Sequence, residues 1–254
     1  MPRLPCVSPI GISYLPSFDE AKYAASFRER GYSIIPEVIG RDVIDHLRIT
    51  LENIPDGQAV RRKRSVYGVR TLLELSPEVR ELAASEAVRR FVTPILGESA
   101  FATRAVFFDK VPDANWALGW HQDSVIAVKS RRDVPGFIAW GQKAGVWQVQ
   151  PPPEILADML AIRVHLDDCG PDNGPLRVLP GSHRHGWLDR EISQWKQRVR
   201  DVTCTVPAGG IVAMCPLTLH ASSKAIRPGH RRVIHIEYAN VELPGRLEWN
   251  MRGS

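Results

Sequence analysis

Cysteine and long apolar runs are scarce in this sequence of 254 residues, and each scarcity excludes a class of protein. The four cysteines, Cys6, Cys169, Cys204 and Cys215, show no C-x-x-C spacing, which argues against a zinc knuckle or a dithiol redox motif. No apolar stretch approaches the roughly 20 residues needed to cross a bilayer. We therefore expect reduced, structural cysteines and no membrane partner.

The first residues also lack the pattern of a secretory signal. The segment MPRLPCVSPIGISYLPSF contains no basic region followed by a continuous apolar stretch. A cytoplasmic location is therefore expected.

The charge does not favour a nucleic-acid partner. The net charge is +5, and the one dense basic cluster is RRKR at 61–64. Neither a recognised nucleic-acid motif nor a set of interleaved aromatic residues accompanies this cluster. The sequence favours a solvated loop or a contact to an anionic small molecule there, and a basic nucleic-acid-binding module is the less favoured alternative.

The chain up to about residue 97 has helical patterns. Ser17 and Glu20 have capping-box spacing, and Gly31 is placed to end the helix that they would begin. An apolar face in the next helix is formed by Val43, Ile44, Leu47, Leu51 and Ile54. Ser76, which precedes a proline, and Ser85 predict the starts of two further helices. The segment YSIIPEVI between the first two helices predicts a short strand.

From about residue 98 to 245 the pattern changes to short strands. These segments are rich in β-branched and aromatic residues, and Gly, Pro, Asn and Asp separate them. They are FATRAVFFDK, AIRVHLDD, LRVLPGSH, DVTCTVPAGGIVAMCP and RRVIHIEYANVEL. Helices followed by strands predict a single α+β domain, mainly β, in which the N-terminal helices pack on an antiparallel barrel or jelly roll.

Residues 126–157 interrupt the strand pattern. Most of this stretch, KSRRDVPGFIAWGQKAGVWQVQPPPEILA, is a loop candidate with several prolines and three glycines. Loops of this length in a compact domain are commonly functional lids. Trp140 and Trp147 would be unfavourable in water with nothing to cover, so a lid insertion is predicted here.

The stretch NWALGWHQDSVIAV places a histidine and an aspartate one residue apart. In a strand the side chains of His121 and Asp123 would point to the same face, while Gln122 turns away. That geometry suits two ligands of one metal ion, and it also suits a hydrogen-bonded His–Asp pair. The spacing alone leaves both interpretations open.

His220 is the best placed third ligand, because it ends the segment GGIVAMCPLTLH and begins a polar loop. Two histidines and one carboxylate leave half of an octahedral metal open, which suits non-haem Fe(II) that binds an oxidant and a cosubstrate together. A 2-oxo dicarboxylate cosubstrate would need a fixed bidentate cation for its distal carboxylate. Arg231 is a candidate for that cation, and its neighbour Arg232 would face the other way.

Together these motifs resemble a known family. His121-x-Asp123, then LDDCGPDNGPLRVLPGSH, then His220 and Arg231 follow the order typical of the phytanoyl-CoA dioxygenase family of Fe(II)- and 2-oxoglutarate-dependent oxygenases. The resemblance implies a double-stranded β-helix, a cupin-like jelly-roll barrel whose mouth holds the metal. It implies that the iron ligands are His121, Asp123 and His220. Arg231 would then pair with the C5 carboxylate of 2-oxoglutarate.

Three further residues gain roles from the resemblance. Ser222 matches a hydroxyl that often assists the C5 carboxylate contact, with a turn serine as the alternative. Arg104 lies on the strand before His121, where related enzymes often hold a polar cosubstrate contact. Arg163 is also a candidate for cosubstrate binding, although the family has an aromatic residue near this position and the sequence departs from the pattern there.

The resemblance implies a function as well. Fe(II), 2-oxoglutarate and O2 would together hydroxylate, or otherwise oxidise, an unactivated C–H bond of a small-molecule metabolite, with release of succinate and CO2. The alternative is a cupin-like metal-binding protein or isomerase without 2-oxoglutarate. Arg231 separates the two hypotheses, because a dicarboxylate anchor is superfluous without the cosubstrate.

The substrate is less constrained by the sequence. Aromatic residues that could cover an apolar substrate are Trp116, Trp120, Trp140 and Trp147. Charges that could hold an acidic group are Arg70, Lys110 and the RRKR cluster. Other histidines interpreted as structural, hydrogen-bonded residues are His165, His183, His230 and His235.

Overall fold

The computed structural model describes residues 19–253. Cys6, Ser17 and the other predictions for the first eighteen residues lie outside this range. The helices are α1 Glu20–Arg30, α2 Arg41–Glu52, α3 Leu72–Leu75, α4 Pro77–Ala84, α5 Glu86–Leu96, α6 Pro153–Ala157 and α7 Ile192–Arg198. A short 3-10 helix, Ser182–His185, precedes α7. Within the described range, no helix combines the length and the apolar character that a membrane span requires.

The strands follow in chain order. They are β1 Tyr32–Ile35, β2 Val60–Arg62, β3 Val66–Val69, β4 Phe101–Asp109, β5 Leu118–His121, β6 Ile126–Val128, β7 Ile138–Lys143, β8 Val146–Gln150, β9 Met159–His165, β10 Leu176–Val178, β11 Val202–Cys204, β12 Ile211–Met214, β13 His220–Ser222 and β14 Arg232–Ala239. Each predicted strand segment overlaps at least one of these strands, so the strand pattern is confirmed.

The first helix begins later than its predicted capping box. Asp19 is the N-cap of α1, and its side chain accepts a hydrogen bond from the Lys22 N–H. A box opened by Ser17 would have put Glu20 in the third helical position, whereas Glu20 is the first helical residue. The acidic cap satisfies a free N–H and suits the helix dipole. Gly31 ends α1 with φ of 80°, as predicted.

The remaining N-terminal helices agree with their sequence signals. The buried residues of α2 are Ile44, Leu47 and Leu51. Ser76 caps α4 by accepting a hydrogen bond from the Val79 N–H, and α5 begins directly after Ser85. These helices share one core with the largest sheet, where Phe91 is fully buried. Truncating a buried Phe of this kind to Ala costs about 3–5 kcal/mol.

Two antiparallel sheets face each other and form the barrel. The larger sheet has seven strands in the order β1-β12-β9-β14-β4-β3-β2, and the smaller has four in the order β11-β10-β13-β5. One cavity lies between them, lined by Val106 and His235 of the larger sheet and by Leu176 and His220 of the smaller sheet. The predicted fold class is therefore confirmed as a jelly-roll barrel with N-terminal helices packed on it.

Strand alternation decides which side chains reach this cavity. On β14, Ile234 and Ile236 belong to the core shared with the helices, whereas His235 between them lines the cavity. On β9, Arg163 lines the cavity between two core residues in the same way. Successive side chains of a strand point to opposite faces, so Arg163 and His235 reach the cavity from neighbouring strands.

The interruption at 126–157 is not a loop. It forms a three-stranded antiparallel sheet in the order β6-β8-β7, followed by α6. Trp140 and Trp147 pack against each other with ring centroids 6.3 Å apart, and both contact the main core. The loop prediction was wrong because alternating residues in IAWGQK and VWQVQ pair across a tight turn that contains Gly145.

Candidate active site

His121, Asp123 and His220 meet at the mouth of the barrel. One ligand atom from each residue lies within 4.8 Å of the others. His220 Nε2 is 3.8 Å from Asp123 Oδ1, and the two imidazole centroids are 4.2 Å apart. The antiparallel pairing of β13 with β5 sets His220 directly opposite His121, which is why residues about one hundred positions apart come together.

The connection after β5 presents the carboxylate. The strand ends at His121, so Asp123 lies just beyond it and not on the same strand as expected. The Asp123 N–H donates to the Pro216 carbonyl over 3.0 Å. The segment that leads to His220 is thereby tied to the segment that carries the other two residues.

Gln122 turns away from the site, as predicted, and anchors the surrounding loops. Its buried amide donates to the carbonyls of Gly186 and Leu217 over 2.8 and 2.7 Å. Its carbonyl accepts a hydrogen bond from the Leu188 N–H over 2.8 Å. Three hydrogen bonds from one side chain therefore fix the backbone between His121 and Asp123.

The three residues have the free lone pairs that a metal requires. His121 Nδ1 is 2.7 Å from the Gly119 carbonyl, and His220 Nδ1 is 2.8 Å from the Thr218 carbonyl. A carbonyl can only accept, so each Nδ1 carries the proton and each Nε2 keeps its lone pair. Asp123 Oδ2 is buried and has no hydrogen-bond partner among residues 19–253. This donor set fits a divalent cation with open positions.

The charge states also fit a metal. Burial, which outweighs attraction from Asp123, lowers the pKa of His220 to about 4. Burial opposes ionisation of Asp123, yet the surrounding basic groups, His220 first, lower its pKa to about 2. At neutral pH His220 is therefore a neutral imidazole and Asp123 is a carboxylate, the forms that bind a metal.

A basic pocket adjoins the triad. Arg231 is 3% exposed and lines the cavity, and in the described part of the chain its guanidinium forms no ion pair and its Nε has no hydrogen-bond partner. Ser222, also buried, lines the same side of the cavity. Arg232 points to the outer side and pairs with Asp167 and Glu52, as predicted for the neighbour.

Lys110 completes this pocket. It is fully buried, and its ammonium donates to Ser222 Oγ over 3.2 Å and to the Ser223 carbonyl. Burial, together with repulsion from Arg231, lowers its pKa to about 7. From the sequence, Lys110 was expected only to hold an acidic group of the substrate. No local pattern indicates that it lies beside Ser222. Arg231 and Lys110 are buried and form no ion pair with any described residue, which favours a bound anion.

The larger sheet contributes a polar network to the same cavity. Arg163 Nη1 is 3.0 Å from His235 Nδ1, and His235 Nε2 is 3.3 Å from Glu237. Glu237 also pairs with Arg104. Because Arg163 can only donate, His235 accepts at Nδ1 and carries its proton at Nε2. Arg104 and Arg163 both line the cavity, and their contact with a cosubstrate stays a prediction.

Two of these network residues were missed in the sequence. His235 was interpreted as structural, yet it lines the cavity, and Glu237 received no role. Their signal is the alternation along RRVIHIEY, which puts both on the face of β14 opposite Ile234 and Ile236. Strand register then places His235 directly opposite Arg163, and Glu237 directly opposite Arg104. This register cannot be read from the sequence.

The other histidines that the sequence analysis singled out lie outside the triad. His183 Nε2 is 3.1 Å from the Arg28 carbonyl at the end of α1, so its bond reaches another element and not its own loop as expected. His230 Nδ1 is 2.7 Å from Asp109 on the side away from the triad. His165 was predicted to be hydrogen-bonded, and that was wrong, because neither of its buried ring nitrogens has a hydrogen-bond partner within residues 19–253. Burial lowers the pKa of His165 well below the usual value. None of these three belongs to the cluster at the mouth of the barrel.

Of the four tryptophans that could cover an apolar substrate, one lines the cavity. Trp116 lines the cavity together with Leu118 and Phe108. Trp120 lies under the guanidinium of Arg177, with 5.3 Å from its carbon to the ring centre. Neither this residue nor the tryptophan pair of the three-stranded sheet lines the cavity. The cysteines described, Cys169, Cys204 and Cys215, are buried and unpaired, as predicted.

The chain is similar to a family model and to proteins of known activity. The family model described as phytanoyl-CoA dioxygenase (PhyH) matches residues 27–233. An ectoine dioxygenase from Stutzerimonas stutzeri is 24% identical over 273 aligned positions, which cover 91% of this chain and 82% of that protein.

Solved structures share the fold. AviO1 from Streptomyces viridochromogenes is 22% identical with a TM-score of 0.65, and the match covers 91% of this chain and 99% of that one. EctD from S. alaskensis, solved with 2-oxoglutarate and 5-hydroxyectoine, is 19% identical with a TM-score of 0.67 over 92% of this chain and 81% of that one. Since the family model spans most of the sequence, the protein belongs to the phytanoyl-CoA dioxygenase (PhyH) family, which confirms both the resemblance and the dioxygenase class.

Proposed function

We propose that this dioxygenase uses Fe(II) and 2-oxoglutarate to oxidise an unactivated C–H bond of a small-molecule metabolite. His121, Asp123 and His220 would hold the iron, and Arg231 with Ser222 would bind the C5 carboxylate of 2-oxoglutarate. The observation that carries the proposal is the position of the Arg231 guanidinium, which forms no ion pair within the described residues, in the cavity that the triad lines. A metal site alone needs no such cation, whereas a dicarboxylate cosubstrate does.

The relatives support this class of reaction. The name ectoine dioxygenase assigns a dioxygenase activity to the curated relatives, and EctD was crystallised with 2-oxoglutarate and 5-hydroxyectoine. Bound iron would supply the oxidising chemistry, in which O2 and 2-oxoglutarate are consumed and succinate, CO2 and the oxidised substrate are released.

The chain's own residues have distinct tasks in this proposal. Lys110 would add a second charge at the C5 carboxylate, because its ammonium bonds to Ser222 Oγ. The network from Arg163 to Arg104 would keep the cavity wall rigid and positively charged on the side of the larger sheet. Trp116, Leu118 and Phe108 would exclude water around the C–H bond.

An anaerobic titration tests the proposal. Purified apoprotein is loaded with Fe(II) and then with 2-oxoglutarate, while the weak visible charge-transfer band of the chelated 2-oxo acid is followed. The band should appear in the wild type and vanish in Arg231→Ala. Iron binding without any band would sink the oxygenase and favour the cupin-like metal protein. The cytoplasmic location and the absence of a nucleic-acid partner stay predictions.

A further inference from the structure

A second basic group lies at the free edge of the larger sheet. Arg61 on β2 is directly opposite Gly68 on β3, and Gly68 is opposite Phe108 on β4. Residues directly opposite each other share a face of the sheet, and Phe108 lines the cavity. A Cβ placed on Gly68 would lie 3.7 Å from Cβ and Cδ of Arg61, so the Arg61 side chain extends across Gly68 on the cavity side.

Arg70 joins Arg61 on this face. Its N–H donates to the Ala59 carbonyl over 3.0 Å, which continues the β2–β3 ladder by one residue. Arg70 follows Gly68 by two positions and therefore shares its face. Because Gly68 is opposite Phe108 and Val69 is opposite Phe107, the same register brings Arg70 beside Val106, and Arg104 is the next residue of β4 on this face. Val106 and Arg104 both line the cavity. Arg104 is the inner neighbour of the group, and its own charge is paired with Glu237.

The insertion supplies a third cation. Lys143 is the last residue of β7, at the tip of the hairpin with β8. Burial, then repulsion from Arg70, Arg104 and Arg61, lowers the pKa of Lys143. Burial and repulsion from Arg61 and Arg104 lower the pKa of Arg70. The geometry agrees, because the three-stranded sheet pairs Val128 with Trp249, and the next residue, Asn250, donates to Glu74 in α3, just after Arg70.

No acid balances these charges. Within residues 19–253, Arg61, Arg70 and Lys143 form no ion pair, whereas the adjacent Arg62 pairs with Asp56. Arg104 connects this group to the triad, because it lines the same cavity as His121, Asp123 and His220. Cations without an ion pair beside a wall of the cavity attract an anion, and two forked guanidiniums suit the oxygens of a carboxylate or phosphate.

We propose that Arg61, Arg70 and Lys143 form a subsite that binds an acidic group of the primary substrate, a carboxylate or a phosphate, at the edge of the active-site cavity. The inference rests on the proposed oxygenase function and names its substrate class. The hairpin of β7 and β8 thereby gains a role, because it brings Lys143 to the substrate. Arg104 would separate the acidic group from the C–H bond near the triad.

Sulfate is the probe for the subsite, because it is a doubly charged oxyanion that binds metals weakly. Thermal unfolding of the enzyme loaded with metal and 2-oxoglutarate is measured in sodium sulfate and in sodium chloride of equal ionic strength. Bound cosubstrate keeps sulfate away from Arg231 and Lys110. The variants are Arg70→Gln and Lys143→Gln. The matched control is Arg64→Gln, an exposed arginine in the turn between β2 and β3.

A site-specific effect of sulfate should differ between these proteins. We expect sulfate to raise the midpoint of wild type and Arg64→Gln, with about tenfold weaker binding in Arg70→Gln and in Lys143→Gln, the loss expected for one charge-assisted hydrogen bond. General salting-out would stabilise all four proteins alike. An equal effect in all four proteins would overturn the subsite, and Lys143 at an exposed hairpin tip keeps the test valid should Arg70→Gln fold poorly.

Substrate screening tests the proposed class directly. Succinate formation above background is measured with matched compounds that carry a carboxylate or its methyl ester, and a phosphate or the parent alcohol. The acidic member should be the substrate, and its KM should rise about tenfold in both variants. A neutral substrate with the same KM in wild type and variants would refute the subsite, and the pair that responds identifies carboxylate or phosphate.

The two proposals fail in different ways. A wild-type charge-transfer band together with an equal sulfate effect in all four proteins would remove only the subsite. If iron binds without a band, sulfate is tested on the protein without 2-oxoglutarate. Sulfate stabilisation that is lost in Arg70→Gln and kept in Arg231→Ala would then retain an anion site in a protein without oxygenase chemistry.

Discussion

At the scale of single residues, the histidines of this chain differ in which lone pairs they leave free. His220 keeps Nε2 open beside Asp123, and His185 is exposed and packs its ring on Trp195. We expect His220→Ala to weaken Fe(II) binding by more than about a hundredfold, beyond the loss expected for an outer-shell partner, and to abolish turnover. His185→Ala is the control. Anaerobic equilibrium binding measures both, and retained iron affinity in His220→Ala would refute the ligand assignment.

Arg231 and Arg232 form a matched pair with opposite orientations. Arg231→Ala should weaken 2-oxoglutarate binding by about 2–5 kcal/mol, roughly 30-fold to several thousandfold, because a buried charged contact is lost. Arg232→Ala breaks the pairs with Asp167 and Glu52 on the outside. It should lower the free energy of unfolding and leave 2-oxoglutarate affinity unchanged. Calorimetric titration of both variants checks this, and equal affinities would exclude the anchor.

Lys110 should make stability depend on pH in a defined direction. The unfolded chain keeps this proton to about pH 10, while burial lowers the folded pKa to about 7. The unfolded state therefore binds more protons between these values, and the free energy of unfolding rises with pH by up to about 1.4 kcal/mol per unit there. Below about pH 7 Lys110 is protonated in both the folded and the unfolded state, so its contribution to the free energy of unfolding no longer changes with pH.

Lys110→Met tests this sign. Urea unfolding of wild-type and variant apoprotein is compared between about pH 6 and about pH 9. The wild type should gain stability relative to Lys110→Met above about pH 7, because the variant has no proton to lose at this site. A pH-independent difference between the two proteins would show that Lys110 does not titrate there.

At the scale of elements, two strand ends and one connection form the candidate metal site. β5 ends at His121 and β13 begins at His220, and Gln122 holds the connection between them. Gln122→Leu should cost about 1–3 kcal/mol, because the buried Leu188 N–H loses its acceptor. Iron affinity should fall about 10- to 100-fold.

A buried glutamine elsewhere provides the comparison for Gln122. Gln148 lies on β8 of the three-stranded sheet and does not line the cavity. Gln148→Leu should leave iron affinity at the wild-type value. Unaltered iron affinity in Gln122→Leu would show that the triad does not depend on this connection.

The elements themselves were largely predictable, since most have local signals. Ser76 and Ser85 mark real helix starts, and Gly31 marks a real helix end, because caps and left-handed backbone depend on neighbouring atoms only. The insertion was mistaken for a loop because its glycines and prolines dominate the pattern. Its hairpin depends on cross-strand pairs such as Gln142 with Trp147, which a linear pattern does not reveal.

At the scale of the whole molecule, helices and barrel share one core. β1, β2 and β3 from the helical region are strands of the larger sheet. The Tyr238 hydroxyl on β14 donates to the Ala83 carbonyl at the end of α4 over 2.9 Å. A chain joined in this way is expected to unfold as one unit.

Ligand binding should therefore stabilise the whole chain. Fe(II) and 2-oxoglutarate bind the folded state, and a ligand at about 100 times its Kd adds about 2.7 kcal/mol. For a chain of this size that is about 5–10 °C in the midpoint. Anaerobic scanning calorimetry should show one transition that shifts up with both ligands and returns after chelation. Two separate transitions would show that the N-terminal helices are an independent unit.

The sequence by itself determined the helix-then-strand order through spacing and alternation, and it contains the residues whose resemblance to a family implies the triad and the arginine anchor. Tertiary structure alone decided the neighbours. Lys110 reaches Ser222, His235 joins Arg163 to Glu237, and Arg61 comes beside Arg70 near the cavity. The physical reason is that alternation assigns a side chain to a face of its strand, whereas strand order and register, which set every cross-strand contact, arise from packing between distant segments.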